Sequence, residues 1–422
     1  MSTPTAIPPQ RKMPPRARRP RVAEVDWLRT MIVLAIVPYH VAILFSAASP
    51  SVLRHTYSNA LLPLIFGSLQ VWGIALLFLL AGASSRFALD VVPVTRYLKE
   101  RVLRLLVPVV VVVVAFAPLR AYFLLLSNPS LVPACPRPLA HPELLHQIGP
   151  FFQQYLTCLL TAGWPIVIGN PLAYLWFIPR LLFMTVVCVP LFLYLRQRWP
   201  RRLSHMAASR VLLATLLIAG GFVAAAVVAI LQPGWLQRLT TGIPLNEDWM
   251  TFALDGTMYI FGWLIYSSVS LRASIRALAF GTLGLALACW GIVLGVRILE
   301  YTPPNTLSLA NVLFGLTQGF AIWLLILATL GLGMRYLTML PAWLQYLNTA
   351  AFPVFILHVP ILTVAAYYLQ ALPVPWYVLL LLIFVVTVAG TFAIYEFVLR
   401  RVPVIGMLFG LSSRRAVKQS DT

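Results

Sequence analysis

Acidic residues are scarce in this sequence. Aspartate and glutamate together number 11 against 31 lysines and arginines in 422 residues, and charged residues of both signs make up only 10% of the chain. Hydrophobic residues make up 60%, and the mean hydropathy of +0.88 exceeds that of soluble globular domains. This shortage of charge argues against an ordinary soluble protein and predicts a polytopic membrane protein.

Cysteine is also rare, and its four positions form no CxxC pair and no cluster with histidine at metal-ligand spacing, so no metal site is expected. Cys188 and Cys289 lie in apolar segments, where cysteine behaves as a small buried hydrophobe. Cys135 and Cys158 fall in one loop region, roughly residues 127–171, and are able to pair if that loop faces an oxidising compartment.

The formal net charge of +20 raises the question of a nucleic-acid partner. Such a partner needs a soluble module with a basic face, and no segment here is long and polar enough to form one. Most of the basic residues instead lie beside the ends of apolar runs. We therefore expect membrane lipid, and not nucleic acid, as a partner of this chain.

Ten apolar stretches are long enough to span a membrane, since a spanning helix needs about 20 mostly apolar residues. Before them, the proline- and arginine-rich segment MSTPTAIPPQRKMPPRARRPR predicts a disordered tail, and the apolar run that follows is too long for a removable signal peptide. The predicted spans are approximately residues 30–48, 62–83, 104–126, 172–195, 211–231, 249–270, 277–299, 308–330, 350–370 and 376–399.

Ten spans place both termini on one side of the membrane, and the basic residues choose the cytoplasmic side. The fold class predicted is therefore an all-α polytopic membrane bundle with cytoplasmic termini. Its domains are predicted as a basic tail over 1–25, a ten-helix membrane domain over 26–401 and a C-terminal tail over 402–422. The basic residues that depart from this arrangement are Arg54, Arg120, Arg137, Arg180, Arg238 and Arg297.

Ionisable residues within spans are candidate site residues, because each costs roughly 2.5 to 3.5 kcal/mol at a helix centre unless it faces a polar interior. Arg29 precedes His40 by eleven positions, a net rotation of about 20° and a rise of about 16 Å, so the two share one helical face. Asp26 lies on the same face. A neutral imidazole in a hydrated channel and an interhelical hydrogen bond both explain His40.

The other ionisable residues within spans are Arg180, Asp255, His358 and Glu396. His358 lies between two prolines, and such breaks are tolerated where they line a cavity or pack within protein. Arg180, in the segment AYLWFIPRLLF, needs an anion or a carbonyl, and the aromatic residues before it, Trp176 among them, are also typical of an interfacial belt.

Arg101 and Arg104 lie three residues apart at the start of the third span, in RYLKERVLRLLVP. Guanidinium groups bind phosphate through two parallel hydrogen bonds, so this pair is a candidate site for a polyphosphate ligand. The alternative is an ordinary cytoplasmic anchor of a membrane helix.

The order of these segments resembles that of the acyltransferase family 3 membrane proteins. Their first span begins like DGLRG and ends in histidine, as in DWLRTMIVLAIVPYH, with ten residues between arginine and histidine. Their FFLLSGF, RxxR, LWFL and YPLYLLHPPV segments resemble LLFLLAGAS, the arginine pair, LWFIPRLL and FPVFILHVPI. The ending YEFVLRRVPVIGMLFGL is similar to the branch of glucan-modifying C-type proteins, which lack an attached esterase-like domain.

The resemblance implies transfer of an acyl group, acetyl or succinyl, from cytoplasmic acyl-CoA to a hydroxyl of a glycan or lipid-linked acceptor, in the cytoplasmic membrane of a bacterium. No tightly bound cofactor is implied. Arg101 and Arg104 would bind the coenzyme A phosphates, and His40 would act as general base or accept the acyl group itself. Arg29 and Asp26 would orient the donor or support the histidine.

Two features depart from the family pattern: Trp27 replaces the usual glycine, and Arg180 maps to no shared role. His358, Arg180, Trp176, Asp255 and Glu396 are candidates for lining a pocket. Broken helices and ionisable residues near the midplane also fit a secondary transporter that exports a glycan or lipid precursor, although no inverted repeat is evident. A non-catalytic subunit of an envelope complex is a third hypothesis.

Overall fold

The structure, a computed structural model, describes residues 22–45, 52–53, 61–127, 148–161, 175–206, 210–231, 249–299 and 308–411, with the backbone only for residues 61–70, 199–217 and 249. Regular structure in these ranges is helical throughout, with no β-strand. The disordered tail predicted for the N-terminus falls almost entirely outside the described residues.

Thirteen helices form the described part of the chain. They are α1 (Ala23–Ile43), α2 (Leu61–Val91), α3 (Val94–Ser127, with a π-helical turn at Val112–Phe116), α4 (Ile148–Thr161), α5 (Phe177–Met206), α6 (Arg210–Leu231), α7 (Trp249–Ser267), α8 (Val269–Ala277), α9 (Ala279–Ile298), α10 (Leu309–Tyr336), α11 (Ala342–Leu369), α12 (Trp376–Leu399, with a π-helical turn at Tyr395–Leu399) and α13 (Pro403–Leu408).

Each of the ten predicted spans overlaps one of these helices, while residues 46–48 of the first span and 172–174 of the fourth lie outside the described residues. Eight of the helices in the described ranges are long and apolar enough to cross a membrane. The other two predicted spans correspond to α6 and α7. The predicted all-α polytopic bundle is therefore confirmed, while the cytoplasmic placement of the termini stays a prediction.

The helices extend beyond several of the predicted spans. The stretch predicted from residue 350 begins at Ala342, and the stretch predicted to end at residue 83 continues to Val91. In both cases the added residues include polar ones, which lengthen the helix without lengthening its apolar run. Hydropathy marks the part of a helix that suits lipid, and the hydrogen-bonded helix continues past it.

The first helix, α1, and α11 lie side by side and run parallel. Arg29 contacts Asn348 and His40 contacts His358, at sequence separations of 319 and 318 residues. A nearly constant separation along both helices is the register of a parallel pair. Arg29 and His40 therefore share the face of α1 that meets α11, as their spacing predicts.

Helices α2 and α7 cross closely in the main core. A Cβ atom at Gly82 would overlap the backbone carbonyl of Tyr259, and one at Gly262 would overlap the carbonyl of Leu79. Small residues at such crossings let membrane helices approach until their backbones touch. This contact fixes α2, whose next turn carries residues that hold α3 in place.

Candidate functional site

The structure brings together the two deep histidines of the sequence. The Nδ1 atom of His40 lies 3.2 Å from the Nε2 atom of His358, and the ring centroids are 4.9 Å apart. His358 is 1% exposed, whereas His40 is partly exposed. Prolines lie close to both: Pro38 precedes His40 by two residues, and Pro360 follows His358 by two.

The hydrogen bonds of this pair define which ring nitrogen carries the proton. The Nδ1 atom of His358 lies 3.1 Å from the carbonyl oxygen of Val354, which only accepts, so this Nδ1 is the donor and Nε2 has the lone pair. The Nδ1 atom of His40 faces two acceptors, that Nε2 and the Ile36 carbonyl at 3.0 Å, and therefore donates. The Nε2 atom of neutral His40 then has the lone pair, and it has no hydrogen-bond partner among the described residues.

Contacts along α11 show how far Arg29 and Arg104 lie from the histidine pair along the helix axis. Arg29 donates from Nη2 to Oδ1 of Asn348 at 2.5 Å, and the guanidinium carbon of Arg104 lies 5.9 Å from the ring centroid of Phe352. At 1.5 Å per residue, Asn348 and Phe352 lie about 15 Å and about 9 Å from the level of His358. Both arginines are thus on one side of the histidines, which we call the arginine end of the bundle.

At the arginine end, Asp26 and Arg29, which were predicted to share one face of α1, form an ion pair. The Nη2 atom of Arg29 lies 2.9 Å from Oδ1 of Asp26, and both side chains are partly exposed. An exposed pair of this kind contributes little to stability. Because the same Nη2 also bonds Asn348, however, it holds α1 against α11, and so fixes the register that brings His40 to His358.

Arg101 is held by a buried group of hydroxyls that joins three helices. Its guanidinium carbon lies 5.4 Å from the ring centroid of Tyr97, whose hydroxyl donates to Oγ of Ser85 at 2.8 Å. The Tyr259 hydroxyl lies 2.8 Å from the same Oγ. Ser85 donates its own proton to the Ala81 carbonyl, at 2.9 Å, so its Oγ accepts from Tyr97 and from Tyr259, whose hydroxyl also has a second acceptor, Oγ1 of Thr185, at 3.4 Å. Hydrogen bonds to Ser85 on α2 therefore connect Tyr97 of α3 and Tyr259 of α7.

Arg180, Trp176 and Asp255 form a separate group. The Nη1 atom of Arg180 lies 2.5 Å from Oδ2 of Asp255 and donates to Oγ1 of Thr251 at 3.1 Å. The two charged side chains are 6% and 3% exposed. Trp176 covers the guanidinium carbon of Arg180 at 4.4 Å from the ring centroid. The anion that Arg180 needs is therefore supplied by the protein itself.

Only aromatic packing connects this ion pair to the histidines among the described contacts. The Phe177 ring, next to Trp176 in sequence, lies 5.9 Å from the ring of Phe355, and Phe355 lies 5.9 Å from the ring of His358. Two aromatic rings, those of Phe177 and Phe355, therefore lie between the Arg180 group and His358.

Glu396 belongs to a third location. Both of its carboxylate oxygens accept from Nη1 of Arg400, at 2.5 and 2.6 Å, and Tyr346 donates to one of them at 3.1 Å. This carboxylate raises the pKa of the Arg400 guanidinium. Of the five candidate pocket residues, His358 therefore joins His40, while the others form two separate groups.

Trp27, which departs from the family pattern, holds the segment between α10 and α11. Its Nε1 atom donates to the carbonyl of Met339 at 2.8 Å, and its ring lies edge-on to Trp343 at 4.9 Å. A surface cleft of about 470 Å³ lies here, and its lining includes Tyr336 and Pro341. A glycine would make neither contact. Trp27 therefore adds a second contact between the start of α1 and α11, besides that of Arg29 with Asn348.

Three site residues were not predicted from the sequence: Asn348, Tyr97 and Ser85. Asn348 precedes His358 by ten residues, which at 100° per residue leaves the two about 80° apart around the helix, so periodicity gave no signal for Asn348. Nothing in local periodicity distinguishes the other two, because their hydroxyls meet only when α2, α3 and α7 pack.

These observations define a class: an integral membrane protein built of apolar helices, with a histidine pair at depth and arginines at one end. The chain belongs to acyltransferase family 3, since the acyltransferase domain of that family matches residues 22–396, nearly the whole chain. No curated protein and no solved structure matches it. It is therefore a membrane acyltransferase.

Proposed function

We propose that this acyltransferase transfers an acyl group from acyl-CoA to a hydroxyl of a glycan or lipid-linked acceptor, and that Nε2 of His40 is the reacting atom. The observation that carries the proposal is the hydrogen bond between the two histidines. It assigns the proton of His40 to Nδ1, so the lone pair of Nε2 is available for chemistry.

As general base, Nε2 of His40 takes the proton of the acceptor hydroxyl while the hydroxyl oxygen attacks the thioester carbonyl. The carbon–sulfur bond breaks, and the coenzyme A thiolate leaves with the proton returned from His40. Nε2 of His358 accepts a hydrogen bond from Nδ1–H of His40 and so holds the ring in this tautomer, as the buried aspartate does in a catalytic triad. Transfer through an acylated His40 uses the same lone pair.

The donor is proposed to bind at the arginine end. Arg101 and Arg104 carry guanidinium groups suited to the phosphates of coenzyme A. Arg104 packs on Phe352, about 9 Å along α11 from the level of His358. The extended pantetheine arm is thin and long enough to bridge that difference in depth, which places the thioester beside His40.

Asp26 and Arg29 are proposed to act on the histidine pair through the helices. Arg29 joins Asp26 on its own helix and Asn348 on α11, so it sets the relative height of His40 and His358. The side of the arginine end is proposed to be the cytoplasm of a bacterium, where acyl-CoA is found. The acyl group is proposed to be acetyl or succinyl.

One assay tests this function against transport. Purified protein in liposomes is given acetyl-CoA or succinyl-CoA together with a glucose oligosaccharide, and free coenzyme A thiol is followed. The proposal expects thiol release and covalent labelling of the oligosaccharide by the acyl group. Passage of oligosaccharide across the membrane without thiol release would contradict it and favour a transporter.

A further inference from the structure

A shallow cleft at the arginine end lies between α8 and α10. Its volume is about 370 Å³, and its lining consists of Ala273, Arg276 and Ala277 on α8 and Arg335 on α10. Arg335 precedes Met339 by four residues, and the carbonyl of Met339 accepts from Trp27 at the start of α1, which places the cleft at the arginine end. The proposed reaction uses none of the residues that line it.

Helices α8 and α10 pack closely beside this cleft. A Cβ atom at Gly331 of α10 would lie 2.5 Å from the backbone carbonyl oxygen of Ile275 and 2.8 Å from Cβ of Ala279. Ile275 is next to Arg276 in sequence, and Gly331 precedes Arg335 by about one turn of helix. The close approach of the two backbones therefore fixes the positions from which both arginine side chains extend.

The two arginines give the cleft a positive charge. Arg276 and Arg335 are exposed, and neither forms an ion pair with a carboxylate among the described residues. The guanidinium carbon of Arg335 lies 5.2 Å from the ring centroid of Phe280 and 5.7 Å from that of Tyr336. Guanidinium groups bind phosphate oxygens through paired hydrogen bonds from the edge of their plane, so the cleft suits a phosphate group.

An apolar row leads from Phe280 along α9, away from the arginine end. The row consists of Phe280, Gly284, Leu287 and Gly291, whose spacings of four, three and four residues put them on one face of the helix. Phe280 and Leu287 are 53% and 58% exposed, and a Cβ atom at either glycine would meet no packed atom of the described residues within 4 Å. The row rises about 16 Å, close to half of a hydrocarbon core about 30 Å thick.

We propose that the cleft binds the phosphate of an anionic phospholipid, such as phosphatidylglycerol, and that one acyl chain of this lipid lies along the apolar row of α9. A free phosphate would use the two arginines alone, whereas a phospholipid also covers a row that has the depth of one membrane leaflet. The bound phosphate connects α8 with α10 and so stabilises the folded protein. This inference does not rest on the proposed function.

The first experiment measures thermal unfolding of the full-length protein, freed of lipid in detergent. A ligand that binds only the folded protein raises its Tm. Phosphatidylglycerol is expected to raise the Tm until the site is saturated, and zwitterionic phosphatidylethanolamine, glycerol phosphate and inorganic phosphate at the same concentration are not. An equal rise with inorganic phosphate would show that a small anion is enough, and an equal rise with phosphatidylethanolamine that the headgroup charge is irrelevant; either result overturns the inference.

The second experiment separates a defined site from general surface charge, since any basic residue near a membrane surface attracts anionic lipid. Native mass spectrometry counts the bound phosphatidylglycerol, and we expect one molecule per chain. The double variant Arg276→Gln/Arg335→Gln should raise the half-saturating lipid concentration at least about tenfold.

Arg198→Gln/Arg401→Gln is the matched control, because it removes the same charge. Both of its arginines are exposed and stack on an aromatic ring of their own helix, at 5.4 and 5.1 Å, and neither lines the cleft. The control should bind phosphatidylglycerol as the wild type does. Equal losses in the two double variants would reduce the effect to surface charge and contradict the inference.

The third experiment tests the place of the acyl chain without changing any charge. Gly284→Leu fills the apolar row, whereas Gly281→Leu adds the same side chain about a quarter turn away, at a glycine that is equally open. Gly284→Leu should raise the half-saturating concentration of phosphatidylglycerol roughly threefold or more, because several van der Waals contacts are lost. Gly281→Leu should leave it unchanged, and the same value in both variants would remove the acyl chain from the row.

Competition by acyl-CoA distinguishes the cleft from the proposed donor site. Acyl-CoA is expected not to displace the bound phosphatidylglycerol. Displacement would make Arg276 and Arg335 part of the donor site and overturn the inference. A protein that binds the lipid in this way but never releases thiol from acyl-CoA would instead contradict the proposed function alone.

Discussion

His40 and His358, 318 residues apart in sequence, share a hydrogen bond of 3.2 Å within the membrane bundle. His358 accepts, because its other nitrogen donates to the carbonyl of Val354. The pair therefore has a direction: the proton lies on the nitrogen of His40 that faces His358, and the other ring nitrogen, Nε2, has the lone pair. A neutral histidine is therefore enough to hold His40 in the tautomer of a general base, and no charged residue is needed for this.

Replacing His358 should slow the chemical step without weakening donor binding. The side chain of His358→Gln offers an oxygen that can accept the Nδ1 proton of His40, whereas His358→Leu cannot. We expect kcat to fall roughly 10- to 100-fold in His358→Leu, as for other orienting partners, and less in His358→Gln. The KM for acyl-CoA should be the same in both. Equal losses in the two variants would show that His358 serves only packing.

Removing the arginine pair should affect the donor selectively. Charged hydrogen bonds contribute about 1.5–3 kcal/mol each, so the double variant Arg101→Ala/Arg104→Ala is expected to raise the KM for acyl-CoA at least tenfold. Acyl-pantetheine, which lacks the phosphates, should be used equally poorly by variant and wild type.

Arg198→Ala is the matched control for the arginine pair. Arg198 is exposed and stacks on Tyr194 of its own helix at 5.4 Å, as Arg101 stacks on Tyr97. Its loss should leave the KM for acyl-CoA unchanged. If the control and the double variant show the same donor dependence, the arginine pair is an ordinary membrane anchor.

The cluster of hydroxyls formed by Ser85, Tyr97 and Tyr259 predicts which of two variants is the less stable. Ser85→Ala deprives the buried Tyr97 hydroxyl of its acceptor, at about 1–3 kcal/mol, and leaves the Tyr259 hydroxyl only the longer bond of 3.4 Å to Oγ1 of Thr185. Tyr97→Phe removes one donor and leaves Tyr259 bound, which costs only about 0.5–1.5 kcal/mol. Thermal unfolding in detergent should therefore show a lower Tm for Ser85→Ala than for Tyr97→Phe. The opposite order would mean that Ser85 is not the shared acceptor.

The buried ion pair should behave as a structural unit. Arg180→Leu and Asp255→Leu each leave one uncompensated charge, which typically costs about 3–5 kcal/mol, whereas replacing both partners is often nearly neutral. We expect each single variant to be strongly destabilised and the double variant to recover most of the Tm and of the thiol release. A stable double variant without activity would instead place the pair in the reaction.

Much of the fold follows from the sequence, because a membrane span is defined by length and hydropathy. The shared face of Arg29 and His40 was predicted for a similar reason: 100° per residue fixes it within one helix. The partners of these residues on α11 were not predicted. A contact between segments more than 300 residues apart depends on packing, and one sequence holds no local signal for it.

The grouping of ionisable residues shows the same limit. Because an ionisable side chain is costly in lipid, Arg180, Asp255, His358 and Glu396 were predicted to be candidates for lining a pocket, and Arg180 to need an anion or a carbonyl. Periodicity cannot say which partner, and the structure distributes them among three places. The pairing considered for the cysteines depended on the compartment of a loop; Cys158 is disulfide-bonded, and Cys135 lies outside the described residues.

The most direct measurement of the central claim is the rate at which His40→Ala releases thiol from acyl-CoA in the presence of acceptor. A general base contributes about 10² to 10⁴ in rate, and the imidazole is only one partner of a neutral hydrogen bond. The account therefore predicts a loss of that size in kcat in a protein that still folds, with a Tm lowered by the loss of the bond to His358. Near-normal turnover by a folded His40→Ala protein would contradict it.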